Sequence, residues 1–353
     1  MFTETYFREL VSGERRGTLA FLLRTTLRIL EVPYGVAVTC RNRRFDRGRR
    51  PIHRVDVPVI SVGNITAGGT GKTPMVAWLA RWYRQRGVRV TLISRGYRAK
   101  AGSQNDEALE LERQLPDVPH LQNPDRVEAA RTAIEELDCQ LILLDDAFQH
   151  RRLHRDLDVV LIDSLEPFGY GHQLPRGLLR EPLSGLARAH VIALSRSDLI
   201  DAEQRQRILA EARRYAPEAI FLEMAHRPDS LLAWPHHRWS IETLADQPSV
   251  AFCGIGNPEG FRRMLGHLRL NVVAFRVFPD HHRYQRDDLD DLTLWAAENG
   301  ASTLLCTQKD LVKIQADRLG QCDLRAVSIG IEILAGRDSL EEVLKETTSY
   351  RER

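Results

Sequence analysis

Short apolar runs recur along the chain at 57–62, 88–94, 141–144, 158–163 and 191–195, each a few residues long and rich in Val, Ile and Leu, the texture of strands buried on both faces. Between and after them, 74–86, 124–137 and 202–215 carry apolar residues at three- and four-residue spacing and predict amphipathic helices. Strands alternating with helices imply right-handed crossovers and a largely parallel, doubly wound sheet.

The texture changes near residue 226. Arg227-Pro228, Trp234-Pro235-His236-His237 and Gln247-Pro248 punctuate two short strand-like pieces, which predicts a linker. A second alternation follows: strand 249–254, helix 258–268, strand 272–278, helix 287–299 and strand 303–307, with a closing helix over 339–350 capped by Asp338 or Ser339. The expected division is an N-terminal segment 1–54, a first domain 55–225, a linker 226–248, a second α/β domain 249–335 and a C-terminal helix 336–353.

Residues 18–31 form a different pattern. Arg24, Arg28 and Glu31 share one side at helical spacing, with Leu19, Leu22, Leu23, Ile29 and Leu30 opposite, which predicts a basic amphipathic helix. Its apolar stripe either docks on the protein's own core or lies in a lipid interface with arginines on anionic headgroups. Charge sharpens the second option, because residues 1–54 hold twelve arginines against five acids while the whole chain is only +2.

Composition otherwise describes an ordinary globular protein, 43% hydrophobic and 28% charged over 353 residues. Five dispersed cysteines without a Cys-x-x-Cys pair read as buried thiols in a reducing compartment. Neither a leader-like apolar core nor an uncharged run of bilayer-spanning length is visible. The expected location is therefore the cytosol or the membrane's cytosolic face.

The chemistry concentrates where the first strand meets the first helix. Ser61-Val-Gly-Asn-Ile-Thr-Ala-Gly-Gly-Thr-Gly-Lys-Thr-Pro74 places Gly68, Gly69 and Gly71 where backbone amides can converge on phosphate oxygens. Lys72 would reach the terminal phosphates and Thr73 would offer its hydroxyl to magnesium. Thr66 stands where the usual loop opens with Gly, so the match is to the loop's second half. Thr66 through Thr73, with Ala67 and Thr70 among them, are the expected nucleotide-binding residues, and the fold class is α/β, P-loop NTPase-like, with a second, smaller α/β domain on a short two-stranded linker.

Asp145-Asp146 end an apolar strand, the position at which such enzymes hold or orient magnesium; a turn-forming pair is the bland alternative. Asp106-Glu107, in the polar stretch 103–107, read locally as a helix start with an acidic first turn. Phe278-Pro-Asp-His-His282 sets a carboxylate beside two imidazoles, but no second His or Cys group offers zinc-ligand spacing.

Gly63-Asn-Ile-Thr66 leading into Gly68-Gly-Thr-Gly-Lys-Thr-Pro74, then Ser94-Arg-Gly-Tyr97, Asp145-Asp-Ala-Phe-Gln-His150, Leu179-Arg-Glu-Pro182, Phe278-Pro-Asp-His-His282 and Thr307-Gln-Lys-Asp310, together and in this order, resemble the tetraacyldisaccharide 4'-kinase family. The resemblance implies transfer of the ATP γ-phosphoryl group to the 4'-hydroxyl of a tetraacylated glucosamine disaccharide 1-phosphate, giving lipid IVA, with magnesium as cofactor. It implies Asp106 as the catalytic acid–base group with His281 beside it, and Lys72 on the phosphates. Glu107, Asp145 and Asp146 would surround metal and nucleotide with Thr73, and Arg180, Glu181 and Asn64 would contact substrate. Ala147 and Asn105 stand where the family commonly has Gly.

A bilayer-borne substrate also favours the lipid-facing use of the N-terminal helix. The implied setting is peripheral, on the anionic cytoplasmic face of the bacterial inner membrane. A P-loop switch ATPase or GTPase without a lipid acceptor is the principal rival, and a soluble small-molecule kinase the second. No nucleic-acid partner is expected, since the N-terminal arginines accompany leucines and lack interleaved stacking aromatics.

Overall fold

The computed structural model describes residues 4–96, 106–235, 237–244, 247–256, 258–268, 270–280 and 282–349, of which 4–5, 106–107 and 349 are given by their backbone alone. In chain order the elements are α1 (Glu4–Ser12), α2 (Thr18–Asp46), β1 (Val59–Asn64), α3 (Lys72–Arg84), β2 (Val90–Ser94), α4 (Asp106–Gln114), β3 (His120–Gln122), α5 (Arg126–Leu137), β4 (Leu141–Asp145), β5 (Leu157–Asp163), β6 (Val191–Ser195), α6 (Ala202–Tyr215), β7 (Ile220–Ala233), β8 (His237–Trp239), β9 (Ser249–Cys253), α7 (Pro258–His267), β10 (Val272–Val277), α8 (Arg286–Glu298), β11 (Thr303–Thr307), α9 (Gln308–Ile314), β12 (Arg318–Leu319), β13 (Cys322–Ala335) and α10 (Arg337–Ser349). Two compact units result: residues 1–95, 120–225 and 332–353 form the first, and 96–119 with 226–331 form the second.

The first unit is a parallel sheet ordered β7–β6–β5–β1–β4–β2–β3. Every residue of β1, β2, β4, β5 and β6 is buried, which explains why most of them are apolar. The order reverses at β1, which lies between β4 and β5. Ligands of open α/β sheets bind beyond the strand ends at such a reversal, and the glycine loop leaves β1 there. Helix α10 belongs to this unit: the Tyr83 hydroxyl on α3 donates to the Leu344 carbonyl at 2.9 Å, and Arg86 pairs with Glu341.

The second unit has a parallel sheet β10–β9–β11–β13, with β12 antiparallel on β13 and β8 antiparallel on the end of β7. Its core gathers Val250, Phe252, Leu304, Cys306, Leu324 and Ala326 from the strands with Leu292, Ala296 and Leu311 from the helices.

Several expectations change. The basic helix runs on from Glu31 through Pro33 to Asp46, a stretch tied to the rest of the unit by Glu31, Tyr34 and Asp46 although Pro33 cannot donate its helical hydrogen bond. The linker's first strand-like piece is part of the 14-residue β7, whose extended backbone continues through Arg227-Pro228; the fixed φ of proline suits a strand as well as a turn. Residues 96–119 group with the second unit, since Ala108, Leu111 and Leu115 are buried and α4 packs on α9. All five cysteines are free, and Cys40 is exposed on α2 where a buried thiol was expected. Short α1 and α9 were not visible in the apolar pattern.

Candidate active site: the phosphate loop and its surroundings

The loop after β1 is shaped by two glycines in left-handed backbone, Gly68 at φ 128° and Gly71 at φ 87°, a conformation that costs a side-chain-bearing residue 1–2 kcal/mol in rough terms. Gly71 caps α3, and Lys72 begins the helix, so the first-turn amides and the positive end of the helix dipole face the loop. At Gly63 the constraint is spatial: a Cβ would lie 2.6 Å from that of Phe148.

Stitching holds this curve in place. The buried Asn64 side chain donates to Thr70 Oγ1 at 3.0 Å, closing the loop across its base. The Ala67 amide donates to the Leu178 carbonyl, and the Arg180 amide donates to the Ile65 carbonyl, both at 2.7 Å. From the far side Arg196 donates to the Gly69 carbonyl at 3.0 Å and pairs with Asp163 at the tip of β5. Gly68 and Gly69 remain exposed, so the rim is open where a polyphosphate would lie.

At the tip of β4, Asp145 is buried and in register with Val62 of β1. Asp146 turns away with φ 49°, left-handed backbone that Asp tolerates better than most residues. Its Oδ1 accepts from Arg180 at 2.7 Å and lies 3.7 Å from Lys72 Nζ. Burial by itself would raise the Asp146 carboxyl; Lys72, Arg180 and Arg126 outweigh that and hold it below the usual carboxylate range. Lys72 thus lies beside a carboxylate, with its side chain mostly buried at the start of α3.

Thr66, Ala67, Gly68, Gly69, Thr70, Gly71, Lys72 and Thr73 therefore occur together as one loop and helix start, with Asp145, Asp146 and Arg180 alongside. Asn64 and Glu181 stand differently. Both are 0% exposed: Asn64 braces the loop, and Glu181 accepts from Asn42, Gln149 and Arg188 at 2.9, 3.0 and 2.7 Å. In this structure both side chains are bonded within the scaffold. Asp106 and Glu107 open α4 in the second unit; their side chains and His281 lie outside the described residues.

Among the described residues no three His, Cys, Asp or Glu side chains cluster to hold a metal by themselves. The oxygen donors at hand, Thr73 hydroxyl and Asp145 carboxylate, suit a hard cation that completes its shell with phosphate and water. His282 bonds Asp288 at 2.9 Å through Nε2 and stacks on Phe278. Three residues at the site carried no signal in the apolar pattern: Arg196, Asp163 and Arg126. Their only cue was position at a strand tip or a helix start. His150, four residues after Asp146 in the chain, is pushed down to about 4 by burial and by Arg126, Arg152 and Arg155, and stays neutral at neutral pH.

Helix α2 docks on this unit through its polar side. Tyr34 donates to the Arg180 carbonyl at 2.9 Å, Glu31 accepts from the Gln173 amide at 2.7 Å, and Arg151 pairs with Asp46 at 2.7 Å. The opposite face leaves Leu19, Phe21, Leu22, Ile29, Leu30, Val32 and Val36 exposed. Of the five stripe residues read from the sequence, Leu19, Leu22, Ile29 and Leu30 are thus exposed and Leu23 is half-buried. No helix among the described residues is long and apolar enough to cross a membrane.

A family model described as tetraacyldisaccharide-1-P 4'-kinase matches residues 23–349. A tetraacyldisaccharide 4'-kinase of Anaeromyxobacter dehalogenans (strain 2CP-C) is 39% identical over 350 residues, spanning 94% of this chain and 92% of its own. Another, of Geobacter sulfurreducens, is 38% identical over 328 residues, spanning 88% and 90%. The crystal structure of LpxK from Aquifex aeolicus in complex with ATP is similar at a TM-score of 0.75 and 29% identity, over 92% of this chain and 99% of that one. Loop, acid pair and full-length similarity agree: the chain belongs to the tetraacyldisaccharide 4'-kinase family.

Proposed function

We propose that this protein transfers the γ-phosphoryl group of ATP to the 4'-hydroxyl of a tetraacylated glucosamine disaccharide 1-phosphate, forming lipid IVA in lipid A synthesis. The observation that carries the reading is the braced glycine loop with Lys72 resting on Asp146, in a chain whose relatives along nearly its whole length bear that enzyme's name.

Loop amides and Lys72 bind and orient the triphosphate, and their fixed charge stabilises the oxygens that gain charge during transfer. Thr73 and Asp145 would hold magnesium, which neutralises phosphate charge when bound. A sugar hydroxyl is a poor nucleophile near neutral pH, so a carboxylate must accept its proton as the new bond to phosphorus forms. Asp106 takes that part with His281 beside it, and Glu107 and Asp146 complete the acidic set. Arg180, whose planar fork suits phosphate oxygens, is the candidate for a substrate phosphate once released from Asp146.

The acceptor is embedded in a bilayer, and the exposed apolar face of α2 together with the N-terminal arginines suits an anionic surface. We place the protein peripherally on the cytoplasmic face of the inner membrane. Incubation with γ-labelled ATP and the lipid disaccharide 1-phosphate tests the proposal: label should move to the lipid. Label recovered only as inorganic phosphate would favour a switch ATPase instead.

A further inference from the structure

Thr307-Gln308-Lys309-Asp310 is part of the family resemblance yet supplies none of the groups assigned above. Its position in the second unit is informative. Thr307 and Asp310 cap α9 reciprocally: the Thr307 hydroxyl accepts from the Asp310 amide and donates to Asp310 Oδ2 at 2.6 Å. Asp310 is 0% exposed, a costly place for a carboxylate unless it is fully bonded.

Its other oxygen is bonded as well. Asp310 Oδ1 accepts from the Tyr284 hydroxyl at 2.9 Å and from the Gly254 amide at 3.1 Å. The Tyr284 ring meets Phe278 and His282 edge-on, and His282 stacks on Phe278 at 4.9 Å. Asp310 thus fixes residues that bracket His281 in the sequence.

Two residues earlier on the same helix turn, Gln308 reaches the other way. Gln114 donates to Gln308 Oε1 at 3.0 Å, and Gln308 donates to Ser328 Oγ at 3.2 Å, a buried amide chain joining α4, α9 and β13. Helix α4 is further tied by Arg113, whose guanidinium lies 3.9 Å over the Trp234 ring. The helix so anchored is the one that opens with Asp106.

We infer that Gln308 and Asp310 are positioning residues: the first turn of α9 holds α4 by one side chain and the segment around His281 by another, fixing the two elements that carry the proton-accepting pair in one register. The inference rests on the assignment of Asp106 and His281 to that pair. Buried, satisfied polar chains specify a single arrangement, and misplacement by about 1 Å costs on the order of a hundredfold in rate.

Gln308→Met keeps the volume and removes the amide; Tyr284→Phe keeps the ring and removes one bond to Asp310. Each should lower kcat about tenfold to a hundredfold, with KM for ATP and for the lipid little changed and the protein still melting cooperatively. Placed on Asp106→Ala, neither should lower the residual rate further, because the group being positioned is already gone. Wild-type kcat in both single variants would overturn the inference. So would an equal further loss in the Asp106→Ala background, which marks general damage. Full turnover in Asp106→Ala alone would instead remove the base assignment on which the inference stands.

Discussion

Exchanging Leu22, Ile29 and Val36 for Ser removes one stripe of α2, since residues seven apart lie on one helix face. The three side chains are 60%, 67% and 58% exposed. Fully burying such a side chain is worth about 1.5–3 kcal/mol, and roughly six-tenths of that area is what a lipid interface can still cover, giving about 1–2 kcal/mol each and about 3–5 kcal/mol together. With about 1.4 kcal/mol per tenfold, partitioning onto vesicles should fall on the order of a hundred- to a thousandfold. These side chains are mostly exposed, so each change should alter stability by only about 0.5 kcal/mol. Co-sedimentation with vesicles containing anionic lipid, over a range of vesicle concentration, reads the effect. Raising salt should weaken the wild type too, because arginine attraction to headgroups is screened. A triple variant that melts like the wild type and sediments with vesicles just as well would refute the assignment of this face to lipid.

Other expectations follow from the site. Asp145→Ala should shift the magnesium dependence of turnover to higher concentration; an unchanged titration removes Asp145 from the metal. Glu181→Ala leaves the donors of Asn42, Gln149 and Arg188 facing a void, and losing one partner of a buried pair costs about 3–5 kcal/mol, so a large fall in Tm is expected and an unchanged one would contradict the joint described here. His150 sits at about 4 in the folded state against an ordinary 6.5, so between those values the unfolded chain binds a proton that the native state does not. Stability should therefore decline as pH falls from about 6.5 towards about 4. His150→Asn should flatten that part of a Tm-against-pH curve, and an unaltered slope would assign the decline to other groups.

Strands β1, β2, β4, β5 and β6 were legible because burial on both faces leaves them mostly Val, Ile and Leu, and the phosphate loop because Gly68 and Gly71 adopt backbone that few other residues accept; the short, half-buried β3 and the start of β7 were not. Helix α2 past Glu31 was not, since Pro33 reads as a stop unless distant contacts such as Tyr34 to Arg180 are known. The grouping of α4 with the second unit hid for a similar reason: Gln114 finds Gln308 nearly two hundred residues later. The partners of Glu181 were hidden in the same way: Asn42 and Gln149, two of its three donors, are distant in the chain.

Arg180 is pinned from three directions: its amide to the phosphate loop, its carbonyl to Tyr34 of α2, and its guanidinium to Asp146. One residue therefore links α2 to the phosphate loop. If α2 lies on a bilayer as proposed, its tilt would be passed to the loop through Arg180, and the membrane would act as a levelling plane for the chemistry above it.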